Sequence, residues 1–467
     1  MNNYHLFFFS TALLFSPLIH AYGADNLEDQ FDFSDADTGF DFGDVEDTKK
    51  VAQWEEKGQA LNLNVLIAAE WNFAYQMSAG HRRWVNLPIV PDTNWVIDWH
   101  SKVGTLYSEG NFLTNIAYTI EDDSQEVIDK YEKELFLREL YWKKSFDDYS
   151  FSTGVIKVMW GKADLLPVVD LISPSDQTKA IFARPEAARL GQNVQKFDLY
   201  WKQHQLNLLF IPYPRYNRLP EKGHPYHVFG GLDLYPSQED DDREPEWAMR
   251  WNYASGPTDA AAFIGHVHNR DPLVFTKGDT TPWLEKHFTR FHFVGLSANF
   301  AKEPFVFKME AAYSQTRPLQ KFDIVMTPEM ETQLIPSGFR TTDTLAVVIG
   351  LDYVSGLWGN ITFELANHQN IDEYQDVLLQ DNTNAAIHWS KNFLNDSLLT
   401  NLLFTTFSEM DNHIVSLHIK YRIDDEWANG LKITWLDTDD NNPLLANMQY
   451  MDRVDLTIEY TFSLFDQ

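Results

Sequence analysis

The chain has 467 residues, no cysteine, 15 % aromatic residues and a formal net charge of −31. Without cysteine, disulfides and thiolate metal sites are excluded. A surface this acidic repels phosphate, which argues against nucleic acid as a partner, and the length suits several soluble domains or one large barrel.

Leu6 to Leu18 is an apolar core of secretory-signal length, interrupted by Pro17 and too short for a membrane helix. Ala21 and Gly23 set small residues where a signal peptidase reads, so residues 1–23 are expected to be cleaved before Ala24, although Met1 to His5 supplies no Lys or Arg. Residues 24–59 follow as an acidic leader. From Asp25 to Asp47 there are ten acids and no base, too much like charge to pack. The leader is expected to be a disordered, solvated periplasmic segment, with Phe31–Phe33 and Phe40–Phe42 as docking points for a periplasmic partner in the alternative reading. No later stretch holds 18 consecutive apolar residues, so the exported chain either stays in the periplasm or crosses a membrane as strands.

From residue 60 the pattern alternates. Strands are predicted over 60–76, 99–108, 112–121, 134–144, 149–160, 194–202, 205–212, 247–254, 257–268, 289–299, 304–315, 344–354, 357–368, 382–391, 396–407, 413–423, 430–437 and 453–463, with 16 as the alternative to 18. In Phe305 to Tyr313 every second residue is apolar while Lys308 and Glu310 point the other way. Glu364, Lys420, Arg422, Asp455 and Glu459 take the charged side of their strands in the same manner. Strands of this length suit a tilted membrane crossing. Tight joins such as 108–111, 202–205, 254–257 and 354–357 alternate with long ones at 161–193, 213–246, 269–288 and 318–343. The expected fold is therefore all-β: a transmembrane antiparallel barrel over 60–467, with short periplasmic turns, long extracellular loops and a wet lumen. Its outer face meets the lipid bilayer and lipopolysaccharide. The last strand resembles the C-terminal signal read by the barrel-assembly machinery, though Asp466 and Gln467 follow the terminal aromatics.

The third long loop, 161–193, carries both signs of charge and a run, Ala163 to Ile172, too apolar for open water. Folded inward it would narrow the lumen, with Lys157, Lys162, Asp164, Asp170, Asp176, Lys179, Arg184 and Arg189 at the constriction. The alternative is a loop packed over the rim. The segment Gly154 to Asp176 resembles a signature of a little-characterised family of Gram-negative outer-membrane proteins of unknown function. The matching positions are Gly154, Val158, Trp160, Gly161, Lys162, Asp164, Asp170, Pro174 and Asp176; Val155 and Ile156 stand where the family often has Arg-Gln. Leu199 to Pro214 resembles the family's next hairpin. The resemblance implies a porin-like barrel and no particular substrate.

Weaker candidates are His266 and His268, read as lumen histidines for want of a third metal ligand, and the segments Gln238 to Glu246 and His224 to His227, read as exposed loop. No metal or cofactor is expected. The expected function is a channel for small solutes of unspecified charge. The alternatives are an outer-membrane lipase or protease, for which Ser416 and His418 share a strand face without a G-x-S-x-G motif, and a periplasm-facing adaptor. No room precedes Leu61 for a folded plug domain.

Overall fold

The computed structural model describes residues 61–464, apart from 79, 180–181, 183–187, 228–231, 237–243, 279–282, 327–331, 373, 375, 378–380, 408–411 and 438–450. The segments expected to be signal peptide and acidic leader, Arg184 and Phe465 to Gln467 lie outside the described residues.

Eighteen antiparallel strands close into a transmembrane barrel. They are β1 (Leu61–Gln76), β2 (Asp92–Ser101), β3 (Gly104–Thr114), β4 (Lys133–Ser145), β5 (Tyr149–Ile156), β6 (Gln192–Trp201), β7 (His204–Ile211), β8 (Glu246–Ser255) and β9 (Thr258–His268). Then follow β10 (Arg290–Lys302), β11 (Phe305–Met326), β12 (Thr332–Ser355), β13 (Gly359–Asn370), β14 (Asn382–Phe393), β15 (Leu398–Phe407), β16 (Asn412–Arg422), β17 (Trp427–Asp437) and β18 (Arg453–Leu464). Each pairs with its neighbours, and β1 pairs with β18 from Val65↔Leu464 to Gln76↔Arg453, so the ring has no open edge.

The connections alternate as the sequence suggests, except that 318–343 is mostly strand rather than loop, because β11 and β12 stay paired from Arg317↔Thr342 to Met326↔Thr332. Short joins, from 102–103 to 423–426, lie at one end. Long ones lie at the other, and they carry helices α1 (Ala117–Ile120) and α2 (Gln125–Tyr131) and the short strands Leu273–Lys277 and Trp283–His287. Leu61 pairs with Ser101, beside a short join, so the described chain starts at the short-turn end. Trp99, Trp201, Trp251, Phe300, Phe305, Phe393, Tyr421 and Trp427 stand exposed near these joins, an aromatic girdle at one membrane interface. Between the girdle and the long loops the outer face is aliphatic, as at Leu296, Met309, Ile349 and Leu456, all at least half exposed.

Two predicted strands are misplaced. The segment 99–108 straddles the true join at 102–103, and 112–121 runs into α1. The misleading signal is Ser108-Glu109-Gly110-Asn111, which reads as a turn but lies within β3. Gly110 is there because the Trp95 ring of β2 lies across it and leaves no space for a Cβ. Strand 149–160 also ends early, at Ile156, so Lys157 to Trp160 belong to the third long loop. Ile156, Val158 and Trp160 face inward into a buried cluster rather than outward to lipid.

Candidate functional site

The third long loop, 157–191, enters the barrel. Its limb from Lys162 to Val169 turns a row of backbone N–H groups toward two carboxylates on the inner wall. Glu310 of β11 accepts from Lys162, Ala163 (2.8 Å), Val168 (2.9 Å) and Val169 (3.4 Å). Glu364 of β13 accepts from Asp164 (2.8 Å), Leu165 (3.0 Å) and Leu166 (2.7 Å). An irregular segment inside a barrel must find partners for its amides, and these two side chains supply them for most of the limb. Both carboxylates are fully buried, so the amides in turn solvate charges that would otherwise be costly.

Apolar packing completes the attachment. Leu165, Leu166, Val169 and Ile172 are buried against Ala248, Ala261, Phe263, Phe293, Ala312, Ala346 and Ala366. These wall residues come from β8 to β13, and the small ones make room for the loop's branched side chains. At Gly295 an added Cβ would stand 3.0 Å from Val169 Cγ1. The apolar run is therefore spent on the wall and presents no open apolar track to a solute.

Most of the loop's charges are paired. Lys157 donates to Glu109 Oε1 at 2.6 Å, and its backbone N–H to Glu139 at 2.6 Å. Lys162 pairs with Asp259, Asp164 with Lys308, and Asp170 with Arg189. Asp176 pairs with Arg218 at 3.1 Å and accepts from Thr178. Burial pushes the Asp176 carboxyl up, but Arg218 and Thr178 outweigh it and hold it below the usual range. Lys179 is exposed. At the far side, Lys432 of β17 donates to the Phe182 carbonyl at 3.3 Å, and the Arg453 guanidinium of β18 lies 4.6 Å from the Phe182 ring. The loop thus touches β11 and β13 on one wall and β17 and β18 on another.

The remaining wall residues take the inward side of their strands. Lys308 also reaches Asp352 at 2.6 Å, Lys420 pairs with Glu459 at 2.7 Å, and Asp455 pairs with Arg453. Arg422 shares the inward parity of Lys420 on β16. Sequence reasoning missed Asp259, Asp352, Lys432 and Arg453, whose roles depend on strands far away in the chain.

Three loop readings change. His266 lies on the outer face, stacked on His292 with ring centroids 4.0 Å apart, while His268 is buried against Glu246 at 2.8 Å. Neither lines the lumen as expected. His266 follows the alternation of β9, whose inward side is the apolar Ala261, Phe263 and Val267 rather than the histidines, and only His268, at the strand end, departs from it. His224 is buried rather than exposed. It bonds the Tyr118 hydroxyl at 3.0 Å, tying the second long loop to the fourth, and burial pushes its imidazole down to about 3. Glu246 is fully buried under Arg270 instead of belonging to an acidic surface loop. Ser416 and His418 share the inward side of β16, with the Ser416 hydroxyl 3.5 Å from that of Thr434. Among the described residues no three His, Cys, Asp or Glu side chains gather as a metal site.

The signature residues now have physical roles. Gly161, at φ +124°, brings the backbone so close to Glu310 that a Cβ would stand 2.6 Å from Oε1. Trp160 packs on Phe263 at 5.4 Å between centroids. Lys162 and Asp164 hold the loop to the wall, Asp170 holds it to itself, and Asp176 holds it to Arg218 of the fourth long loop.

Solved barrels share this architecture at very low identity. OccAB1 of Acinetobacter baumannii superposes with a TM-score of 0.52 at 7 % identity, covering 87 % of this chain and 97 % of that one. OccK8 (OprE) of Pseudomonas aeruginosa gives 0.52 at 9 %, covering 86 % and 99 %. No curated protein matches the sequence. A model of a protein family of unknown function, DUF1302, matches residues 98–462, through the loop and nearly every strand, and the chain belongs to that family.

Proposed function

We propose that the protein is an outer-membrane channel that passes small polar solutes through a lumen narrowed by its third long loop. The observation that carries this reading is the loop's attachment: Glu310 and Glu364 hold it inside the barrel by seven backbone hydrogen bonds, away from the rim. A barrel meant only to anchor a surface would have no use for a loop carried this deep. Of the loop's charges, Asp164 and Lys157 keep surface toward the remaining passage, and Arg422 and Glu459 keep surface on its opposite side. Mixed signs on both sides favour weak ion preference over strong charge selection. In this reading the short turns face the periplasm, and an exported chain is inserted through its last strand.

Single-channel recording in planar bilayers tests it. The wild type should give steady steps, and deletion of Leu165 to Ile172 should raise conductance about twofold or more. A silent wild-type barrel refutes an open lumen, and unchanged conductance after the deletion refutes narrowing by the loop.

A further inference from the structure

On the extracellular side of the carboxylate anchors lies a small cavity of about 40 Å³, open on one side. Asp170, Ser173, Arg189, Arg270, Asp271 and Arg317 are among the residues that line it. Most of these groups are already engaged. Arg189 pairs with Asp170, and Arg270 forks onto Glu246 at 2.9 and 2.7 Å. Asp271 Oδ1 accepts from Gln177 at 2.9 Å and Asn217 at 2.6 Å. Arg317 differs. Its guanidinium stands 5.7 Å from the centre of the Phe291 ring, and among the described residues it has neither hydrogen bond nor ion pair.

A backbone irregularity aims this arginine. Along β11, Ser314 pairs with Thr344 and Arg317 with Thr342, so Gln315 and Thr316 together face only Asp343. Thr316 takes φ +54° and donates its N–H to Asp343 at 2.9 Å. Plain alternation from the inward Ser314 would turn residue 317 outward, and the extra residue turns it in. Left-handed backbone at a threonine is strained. The result is a desolvated fork of five N–H donors facing the cavity.

We propose that Arg317 binds the carboxylate of a small hydroxy acid or amino acid in this cavity. The planar fork matches a carboxylate. Asp170 and Asp271 on the same walls repel a second negative charge, which disfavours phosphate and dicarboxylates. Asp271 Oδ2 accepts no hydrogen bond among the described residues, and it receives the hydroxyl or ammonium of the ligand. The site lies seven positions beyond Glu310 on β11, before the narrow part for a solute entering from outside. The proposal rests on the channel reading for the route of entry alone.

Equilibrium binding separates the two, because a barrel in detergent can bind a solute whether or not it conducts. Titration calorimetry of the full chain with sodium lactate, sodium acetate and inorganic phosphate should rank them in that order. Arg317→Gln should weaken lactate about ten- to hundredfold, the worth of a charged hydrogen-bonded fork. Arg317→Lys should fall between. Asp271→Asn should close the gap between lactate and acetate. Heat-modifiable gel mobility confirms that each variant is a folded barrel. Absence of lactate binding to the wild type, or equal binding by a folded Arg317→Gln barrel, overturns the site. Tighter binding of phosphate than lactate overturns the ligand class.

Discussion

The two sides of the lumen are built differently. From β8 to β13 the inner wall is lined largely by alanines and phenylalanines, with the acids Glu310 and Glu364 and the ion-paired Asp259, Lys308 and Asp352 among them, and the third loop covers it. From β16 through β18 to β4 the wall keeps long charged side chains, such as Lys420, Glu459, Lys432 and Glu109, most of them partly exposed. On the first wall Glu310 and Glu364 are attachment points for seven backbone N–H groups, beside the ion-paired Asp259 and Asp352. On the second, Glu459 and Asp455 are halves of ion pairs, and only Glu139 takes a backbone N–H of the loop among the described residues. The same residue type at the same strand parity does two jobs, and what decides is whether the neighbouring inward positions are small enough to admit a chain.

The sharpest way to break this contrast is to remove the attachment. Glu310→Gln combined with Glu364→Gln places amide donors against backbone donors and leaves single oxygens for several N–H groups. The loop should lose about 3 kcal/mol or more of docking free energy, as expected for buried charged hydrogen bonds. Recordings should then show a larger, noisier pore, and proteases should cut between Lys162 and Ile172; a quiet, wild-type trace would mean that packing alone holds the loop. A smaller effect is expected from Gly295→Val, which overfills the wall beneath Val169 and should cost about 1–3 kcal/mol. It should widen the pore without altering the acids, and unchanged protease protection would show that the wall yields instead. The smallest effect belongs to the second wall. Lys420→Met removes the partner of Glu459, whose carboxylate keeps a fifth of its surface exposed, and should cost about 1 kcal/mol. It should shift ion preference toward cations while leaving loop protection intact. If it frees the loop, the two walls are not independent.

Much of the barrel was legible in the sequence because lipid and water impose opposite demands on alternate residues. Phe305, Phe307 and Met309 against Lys308 and Glu310 fix both the strand and its inward face. Gly110 defeated this reading locally, since a glycine under a neighbouring tryptophan resembles a glycine in a turn. The loop was legible as an inward candidate through its apolar run, but its anchors were not. Glu310 and Glu364 look like any other inward acids, and the amides they hold lie 141 to 200 residues away in the chain. Arg317 was hidden for a different reason. It follows a bulge, and alternation carries no sign of where an extra residue will fall.

The loop's acceptors have a consequence for biogenesis. Residues 162–169 find their acceptors only once β11 and β13 stand in the sheet. In a half-assembled sheet their amides have no protein acceptor and remain hydrated. Docking is therefore deferred until the later strands are in register, and the loop acts as a seal applied at the end of assembly. Protection of this segment from protease in whole cells would time the completion of the barrel.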